Sequence, residues 1–267
     1  MDKMKFGSLF AGIGGIDLGL ERAGMECVWQ VEIDPFCQKV LAKHWPEVAR
    51  YEDIREVGAH NLEPVDLICG GFPCQPHSLA GKREASEDER DLWGEMFRVV
   101  CEVKPRWVLA ENVPGLLSSE AGRFFGRVLR DLASVGYDVE WESIPASSVG
   151  APHRRDRVFV VANSENMFSN GSNDYSRISM EREPIPEPRD RCGKEDVADA
   201  KPSWDAEEQQ GHAAIWEPAR CGRWAVEPDV GRVANGVPSR VDRLRCLGNA
   251  VVPQVAEWIG KRILEAG

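Results

Sequence analysis

No stretch of the sequence is apolar for long enough to span a membrane. The first residues, Met1-Asp2-Lys3-Met4-Lys5, lack the basic, apolar and small-residue succession of a secretory leader. The chain is therefore expected in the cytoplasm, with no membrane partner. Cysteine occurs, but never as Cys-x-x-Cys: positions 27, 37, 69, 74, 101, 192, 221 and 246 are scattered along the chain. That scatter supports neither a zinc knuckle nor a dithiol redox motif, and it suits a reducing compartment. No metal site is expected, and Cys192, Cys221, Cys246 and His212 show no repeated ligand spacing. Positive charge is in short supply: 33 Lys and Arg against 44 Asp and Glu give a formal net charge of −11. A general nucleic-acid binder is disfavoured, and any specific one needs a local basic patch. The spaced glycines of a dinucleotide fingerprint, G-x-G-x-x-G, are also missing. No internal repeat emerges. The 267 residues suffice for one large or two modest domains.

What is present is a succession of short apolar strands, each ending in residues suited to chemistry. Lys5 to Phe10 reads as a strand, Ala11 to Gly15 as a tight glycine turn, and Ile16 to Ala23 as a helix stopped by Gly24. Such a turn lets backbone approach a nucleotide closely. Cys27 to Val31 is the next strand, ending on Glu32-Ile33-Asp34 before a helix opened by Pro35. Asp34 sits where a helix cap belongs; Glu32, inside the strand end, is placed where Rossmann-type folds hold ribose hydroxyls. Asp66 to Cys69 is a buried parallel strand leading into Gly70-Gly71-Phe72-Pro73-Cys74-Gln75-Pro76-His77-Ser78. A cysteine between two prolines has a stiff backbone and an aimed sulfur, although a lone cysteine is as readily a small buried hydrophobe.

Residues 81–89 are small and charged and read as a mobile loop; Asp91 to Val103 reads as a helix. Arg106 to Ala110 is a buried strand ending in Glu111-Asn112-Val113-Pro114, again a carboxylate at a strand's carboxyl end. Ser119 to Val135 reads as an amphipathic helix with Phe124, Val128, Leu129 and Leu132 inward. A strand from Tyr137 to Ile144, a turn containing His153-Arg154-Arg155-Asp156-Arg157 and a strand from Val158 to Ala162 follow. From Ser164 to about Val230 the chain is polar, rich in Pro, Gly, Ser and Asn, and without periodicity. Periodic sequence returns at Arg243, and a last helix runs from Gln254 to about Leu264.

Taken in order, these segments resemble the DNA cytosine-5 methyltransferase family. The matching stretches are Phe10-Ala11-Gly12-Ile13-Gly14-Gly15, Glu32-Ile33-Asp34, Asp53-Ile54, Gly71-Phe72-Pro73-Cys74-Gln75, Asp91-Leu92-Trp93, Glu111-Asn112-Val113, Arg154-Arg155-Asp156-Arg157 and Gly248-Asn249-Ala250-Val251-Val252-Pro253. They cover residues 6–163 and 240–264. The resemblance implies a Rossmann-like, S-adenosylmethionine-binding α/β sheet over residues 1–163. It implies a small irregular target-recognition region over 164–239, and a segment over 240–267 that returns to the catalytic domain. Phe10 would stack on the adenine, Glu32 would hold the ribose hydroxyls, Ile33 would pack on the base and Asp53 would accept from its amino group. Gly12, Gly14 and Gly15 would lie beside the methionine end, with Pro73, Leu92 and Asn249 completing the pocket. Two positions depart from the family pattern: Ser8 stands where many members carry aspartate, and His153 where glutamine is usual. The first is expected to alter the contact to the methionine ammonium.

The chemistry so implied explains the residue types. Cytosine C5 is a poor nucleophile until a thiolate adds at C6, which makes Cys74 the apt attacking group. A protonated Glu111 would hydrogen-bond the base at N3, and burial would raise its pKa toward that state. Arg157, and secondarily Arg155, would pair with the base O2 or a nearby phosphate. The target atoms lie inside the duplex, so the base must be flipped out. Gln75, Ser78, Arg154, Arg240, Arg243 and Arg245 would meet double-stranded DNA. Arg220 and Arg223, anchored by Trp216 and Trp224, are the candidates for sequence readout. The expected protein is a monomer that works apart from any cognate restriction endonuclease. Methylation of transfer RNA and a non-catalytic DNA-binding role are the alternatives, with a nicotinamide oxidoreductase behind both.

Overall fold

The computed structural model describes residues 3–73, 92–164 and 239–266, except for the side chains of Arg240 and Leu244. Seven strands, β1 (Lys5–Leu9), β2 (Glu26–Val31), β3 (Ala49–Tyr51), β4 (Leu67–Gly71), β5 (Trp107–Asn112), β6 (Asp138–Pro145) and β7 (Asp156–Asn163), form one sheet. Six helices accompany them among the described residues: α1 (Gly15–Ala23), α2 (Pro35–His44), α3 (Leu92–Val103), α4 (Arg123–Ser134), α5 (Arg240–Asn249) and α6 (Pro253–Ala266). The strand order is β3-β2-β1-β4-β5-β7-β6. The pairs among β1 to β5 are parallel, whereas β7 runs antiparallel to both neighbours. The chain moves outward from β1 to β3 and then restarts on the other side with β4. Ligands of open α/β sheets bind at such a reversal, beyond the carboxyl ends of the strands.

The central strands are buried along their length, which is why they read as continuous apolar runs. One face carries Leu9, Ile68, Val108 and Val160 against Trp93, Met96 and Val100 of α3 and Val128 and Leu132 of α4. On α4 the fully inward aromatic is Phe125, not Phe124, which is only partly covered. Phe125 meets Trp141 of β6 edge-on, with ring centroids 5.0 Å apart. The helix also starts later than its periodicity suggests. Glu120 and Ala121 adopt left-handed backbone at φ 51° and 57°, so only a 3₁₀ segment precedes Arg123.

The other face is closed by α1 and α6. Their approach depends on small residues at the crossing: a Cβ on Gly19 would collide with the Pro253 carbonyl oxygen and lie 2.5 Å from Ala256 Cβ. Beneath α1, Asp17 is fully buried. It accepts from Gln30 Nε2 at 2.8 Å and from Ser8 Oγ at 3.0 Å. Ser8 therefore points into this buried cluster. Burial pushes the Asp17 carboxyl up to about 6, against an ordinary 3.8. The folded state holds that proton more tightly than the unfolded chain does. The increment is complete below pH 3.8 and is lost as pH rises through about 6.

Two glycine-to-alanine changes should have opposite effects on stability. In Gly19→Ala the new methyl meets backbone that cannot yield, and the melting temperature should fall, because overpacking costs about 1–3 kcal/mol. At Gly126 in α4 no atom lies within 4 Å of the added Cβ. Gly126→Ala should raise the melting temperature, since alanine exceeds glycine in helix propensity by up to about 1 kcal/mol. Differential scanning calorimetry of the pair reads the sign directly, and a rise for both would contradict the packing described for α1 and α6.

Candidate active site

The first wall of the site is the turn after β1. Phe10 leaves the strand with φ 52°, and Gly12 and Gly14 follow at 57° and 80°. A Cβ on Gly12 would meet nothing within 4 Å, so this backbone faces open space. Gly15 serves differently. Its Cβ would stand 2.5 Å from the Val251 carbonyl oxygen, so the segment between α5 and α6 can rest on the turn only because no side chain intervenes. Gly14 does not line the cavity. The space beside it is filled by the ring of Trp45, into which a Cβ would project.

The second wall is the end of β2. Glu32 Oε2 accepts from the Gly12 amide at 2.7 Å and Oε1 from the Asp34 amide at 2.8 Å. The carboxylate is thus tied to the glycine turn, and burial raises its pKa above the ordinary value. Ile33 is 69% exposed, a bare apolar plate beside that carboxylate. Asp34 caps α2 through the Phe36 and Cys37 amides and ion-pairs with Arg245 of α5 at 2.6 Å. Asp53 caps the short 3₁₀ turn at Ile54–Glu56 by accepting from the Arg55 amide at 3.0 Å.

The floor comes from β4, β5 and β7. Gly71 pairs with Glu111 across the parallel ladder, and a Cβ there would lie 2.7 Å from Glu111 Oε2. The glycine leaves the room that this carboxylate occupies. Glu111 Oε1 lies 2.9 Å from Arg157 Nε, and both side chains are largely withdrawn from water. Burial and the guanidinium act on Glu111 in opposite senses; burial prevails and raises its carboxyl to about 7. The neighbouring Asn112 donates from Nδ2 to the Phe72 carbonyl at 2.8 Å, which fixes the chain just before Pro73.

These parts enclose a cavity of about 590 Å³. Phe10, Gly12, Gly15, Glu32, Ile33, Asp53, Pro73, Leu92 and Asn249 all line it, together with Glu111 and Arg157. An apolar plate, carboxylates near it and an open glycine backbone suit a nucleoside carrying a small charged tail. Of the cationic residues expected at nucleic acid, Arg154 is 83% exposed and pairs with Asp156 at 3.4 Å, and Arg243 is exposed on α5. Arg155 donates to main-chain carbonyls around α5, and its charge also acts, with that of Arg157, to lower the Glu111 pKa. Cys74, Gln75, Ser78, Arg220, Arg223, Trp216, Trp224, the 81–89 loop and most of the expected 164–239 region lie outside the described residues, as does the Arg240 side chain. Sequence reasoning missed the Asn112 contact and the meeting of Cys37 and Cys246, whose sulfurs are 3.3 Å apart at the cavity edge. Both depend on long-range packing that no local pattern announces.

The Glu111 carboxyl should titrate with a midpoint near pH 7, readable by isotope-edited infrared spectroscopy or carboxyl-carbon NMR. Arg157→Met should move that midpoint upward, because it removes the charge that favours the ionised form and leaves the burial. A downward move would contradict the balance described.

A family model for C-5 cytosine-specific DNA methylases matches residues 4–217. Among curated proteins, the Type II methyltransferase M.BsuFI of Bacillus subtilis is 35% identical over 175 residues, 65% of this chain and 42% of that protein. The Type II methyltransferase M2.BsuMI of Bacillus subtilis strain 168 is 29% identical over an alignment reaching 97% of this chain and 75% of that protein. A solved E. coli structure, assigned as a prophage-encoded DNA modification methyltransferase, superposes with a TM-score of 0.54 at 31% identity, over 62% of this chain and 48% of that one. The chain thus spans about half the length of several relatives it matches. With a matched stretch that runs from β1 through β7, the chain belongs to the C-5 cytosine-specific DNA methylase family.

Proposed function

We propose that this protein methylates C5 of cytosine within a specific sequence of double-stranded DNA, using S-adenosylmethionine. The observation that carries the proposal is the cavity that joins a nucleoside-type site at β1 and β2 to the buried Glu111–Arg157 pair, directly beside Pro73, the residue before Cys74. The cofactor, when bound, supplies an electrophilic methyl group. Glu32 and Asp53 are the acceptors for its ribose and amino groups, Ile33 and Phe10 its apolar contacts, and the backbone around Gly12 the approach for its tail.

The remaining work falls to the protein's own side chains. The Cys74 thiolate adds to C6 of a flipped-out cytosine, placing electron density at C5. Glu111, protonated near neutral pH because it is buried, donates to N3 and stabilises the negative charge that develops on the ring. Arg157, held by Glu111 and by the Asp156 carbonyl at 2.9 Å, offers its remaining donors to the base O2. Once C5 carries the transferred methyl group, its proton passes to a water, and the electrons of that C–H bond restore the C5–C6 double bond as the Cys74 thiolate is expelled. The Type II designations of the relatives support a protective partner of a separately acting restriction endonuclease. Arg154 and Arg243 are the cations offered to the phosphate backbone, which the net charge of −11 otherwise repels. No helix among the described residues is long and apolar enough to cross a membrane. A monomer is the proposed working form.

Methylation-aware sequencing of DNA from cells that express the chain should reveal 5-methylcytosine at one recurrent sequence. Modification of transfer RNA alone would replace the DNA reading. In a purified assay Cys74→Ser should abolish methyl transfer, because the hydroxyl is far less acidic than the thiol. Glu111→Gln should lower the rate by roughly a hundredfold or more. For the wild type, the limb of the pH profile due to Glu111 should fall as pH rises above about 7, as the required proton is lost. A near-normal rate for either variant removes that residue from the mechanism.

A further inference from the structure

The family resemblance implies Arg155 beside the base O2 or a phosphate, whereas in the structure its guanidinium meets main-chain carbonyls. It stands where the chain enters β7, with a left-handed backbone at φ 41°. That conformation is unfavourable for any residue with a Cβ and persists only where the surroundings hold it. Here the holding contacts come from its own guanidinium. Nε donates to the Ala250 carbonyl at 3.1 Å, and Nη2 donates to the Gly248 carbonyl at 2.6 Å and the Leu247 carbonyl at 3.4 Å. These are the carbonyls at the end of α5, the groups that a helix leaves without intrahelical partners. A cation there also meets the negative end of the helix.

The turn gripped in this way is part of the cavity. Asn249, Ala250 and Val251 line it, and the Val251 carbonyl rests against Gly15. The body of α5 is secured separately, by Arg245 on Asp34. Arg155 is thus the side chain that joins the β7 strand, which carries Arg157, to the wall over the glycine turn.

We propose that Arg155 is a positioning residue for the cofactor: its guanidinium fixes the 247–250 turn as one wall of the nucleoside pocket and does not contact the base or the DNA. The inference rests on the cofactor reading given above. A guanidinium with several donors committed to main-chain carbonyls has little left to offer an incoming phosphate, and the loss of those bonds would free the wall and not the substrate.

The test compares wild type, Arg155→Ala and Arg155→Lys in three measurements: calorimetric binding of S-adenosylhomocysteine without DNA, binding of a mixed-sequence DNA duplex, and thermal unfolding. The alanine variant should bind S-adenosylhomocysteine about tenfold or more weakly, the scale of one lost charge-assisted hydrogen bond. Lysine should recover part of that loss, because an ammonium can donate to the same carbonyls. Duplex affinity should not change. Weaker duplex binding with unaltered S-adenosylhomocysteine affinity would overturn the proposal in favour of a DNA contact. Equal loss of both ligands with a collapsed melting transition, unrelieved by lysine, would overturn it in favour of a purely structural role. Failure of the wild type to bind S-adenosylhomocysteine would remove the cofactor reading itself, and this inference with it.

Discussion

Two stretches of backbone from opposite ends of the chain touch where no side chain could fit. The Val251 carbonyl stands 2.5 Å from where a Cβ on Gly15 would be, and Pro253 and Ala256 crowd Gly19 in the same way one turn further along α1. This approach is the constraint on which the site depends. It seats α6 against the first helix of the sheet and brings Asn249 to a cavity that β1, β2, β4, β5 and β7 also line. A larger residue at either glycine would lift the last segment away and open the cavity on that side. The glycine-rich start of α1 therefore serves as a docking surface as well as a turn.

Three carboxylates, Asp17 and Glu111 buried and Glu32 half-buried, behave differently because their neighbours differ. Asp17 is satisfied by neutral donors, Gln30 and Ser8, and its burial raises its pKa unopposed by any cation. Glu32 accepts two backbone amides, which moderate the same effect. Glu111 alone has an arginine, yet burial still prevails and its carboxyl titrates near neutrality. A group poised there can exist in both protonation states under working conditions, which is what a proton donor to a reacting base requires. The first two carboxylates hold the fold and the glycine turn. The third is the one proposed above as the proton donor.

Much of this was legible in the sequence because it is local. Continuous apolar runs mark the buried parallel strands, and a glycine turn or an acidic residue at a strand's end marks the site. Glu32, Ile33, Asp53, Pro73 and Asn249 fall around one cavity in the structure. The exceptions share a cause. Gly14 looks like its neighbours but packs against Trp45, and Ser8, beside the glycine turn in sequence, faces Asp17. Arg155 is indistinguishable from Arg157 by composition, yet the carbonyls at the end of α5 hold its guanidinium and with it a left-handed backbone. In each case a partner distant in sequence decides the direction of a side chain, and no periodicity encodes that partner. Phe124 and Phe125 differ for a related reason: the apolar stripe of α4 is wide enough to include both, and contact with Trp141 on β6 selects the second.

The central claim of the proposed function is that Cys74, the residue after Pro73, attacks a cytosine to which Glu111 donates a proton. Its most direct test is covalent trapping. A DNA duplex carrying 5-fluorocytosine at the methylation site cannot lose its C5 substituent, so the enzyme should remain bonded to the base in the presence of S-adenosylmethionine. Peptide mapping by mass spectrometry should then place the adduct on Cys74. An adduct on any other residue, or trapping of transfer RNA in place of the duplex, would contradict the account.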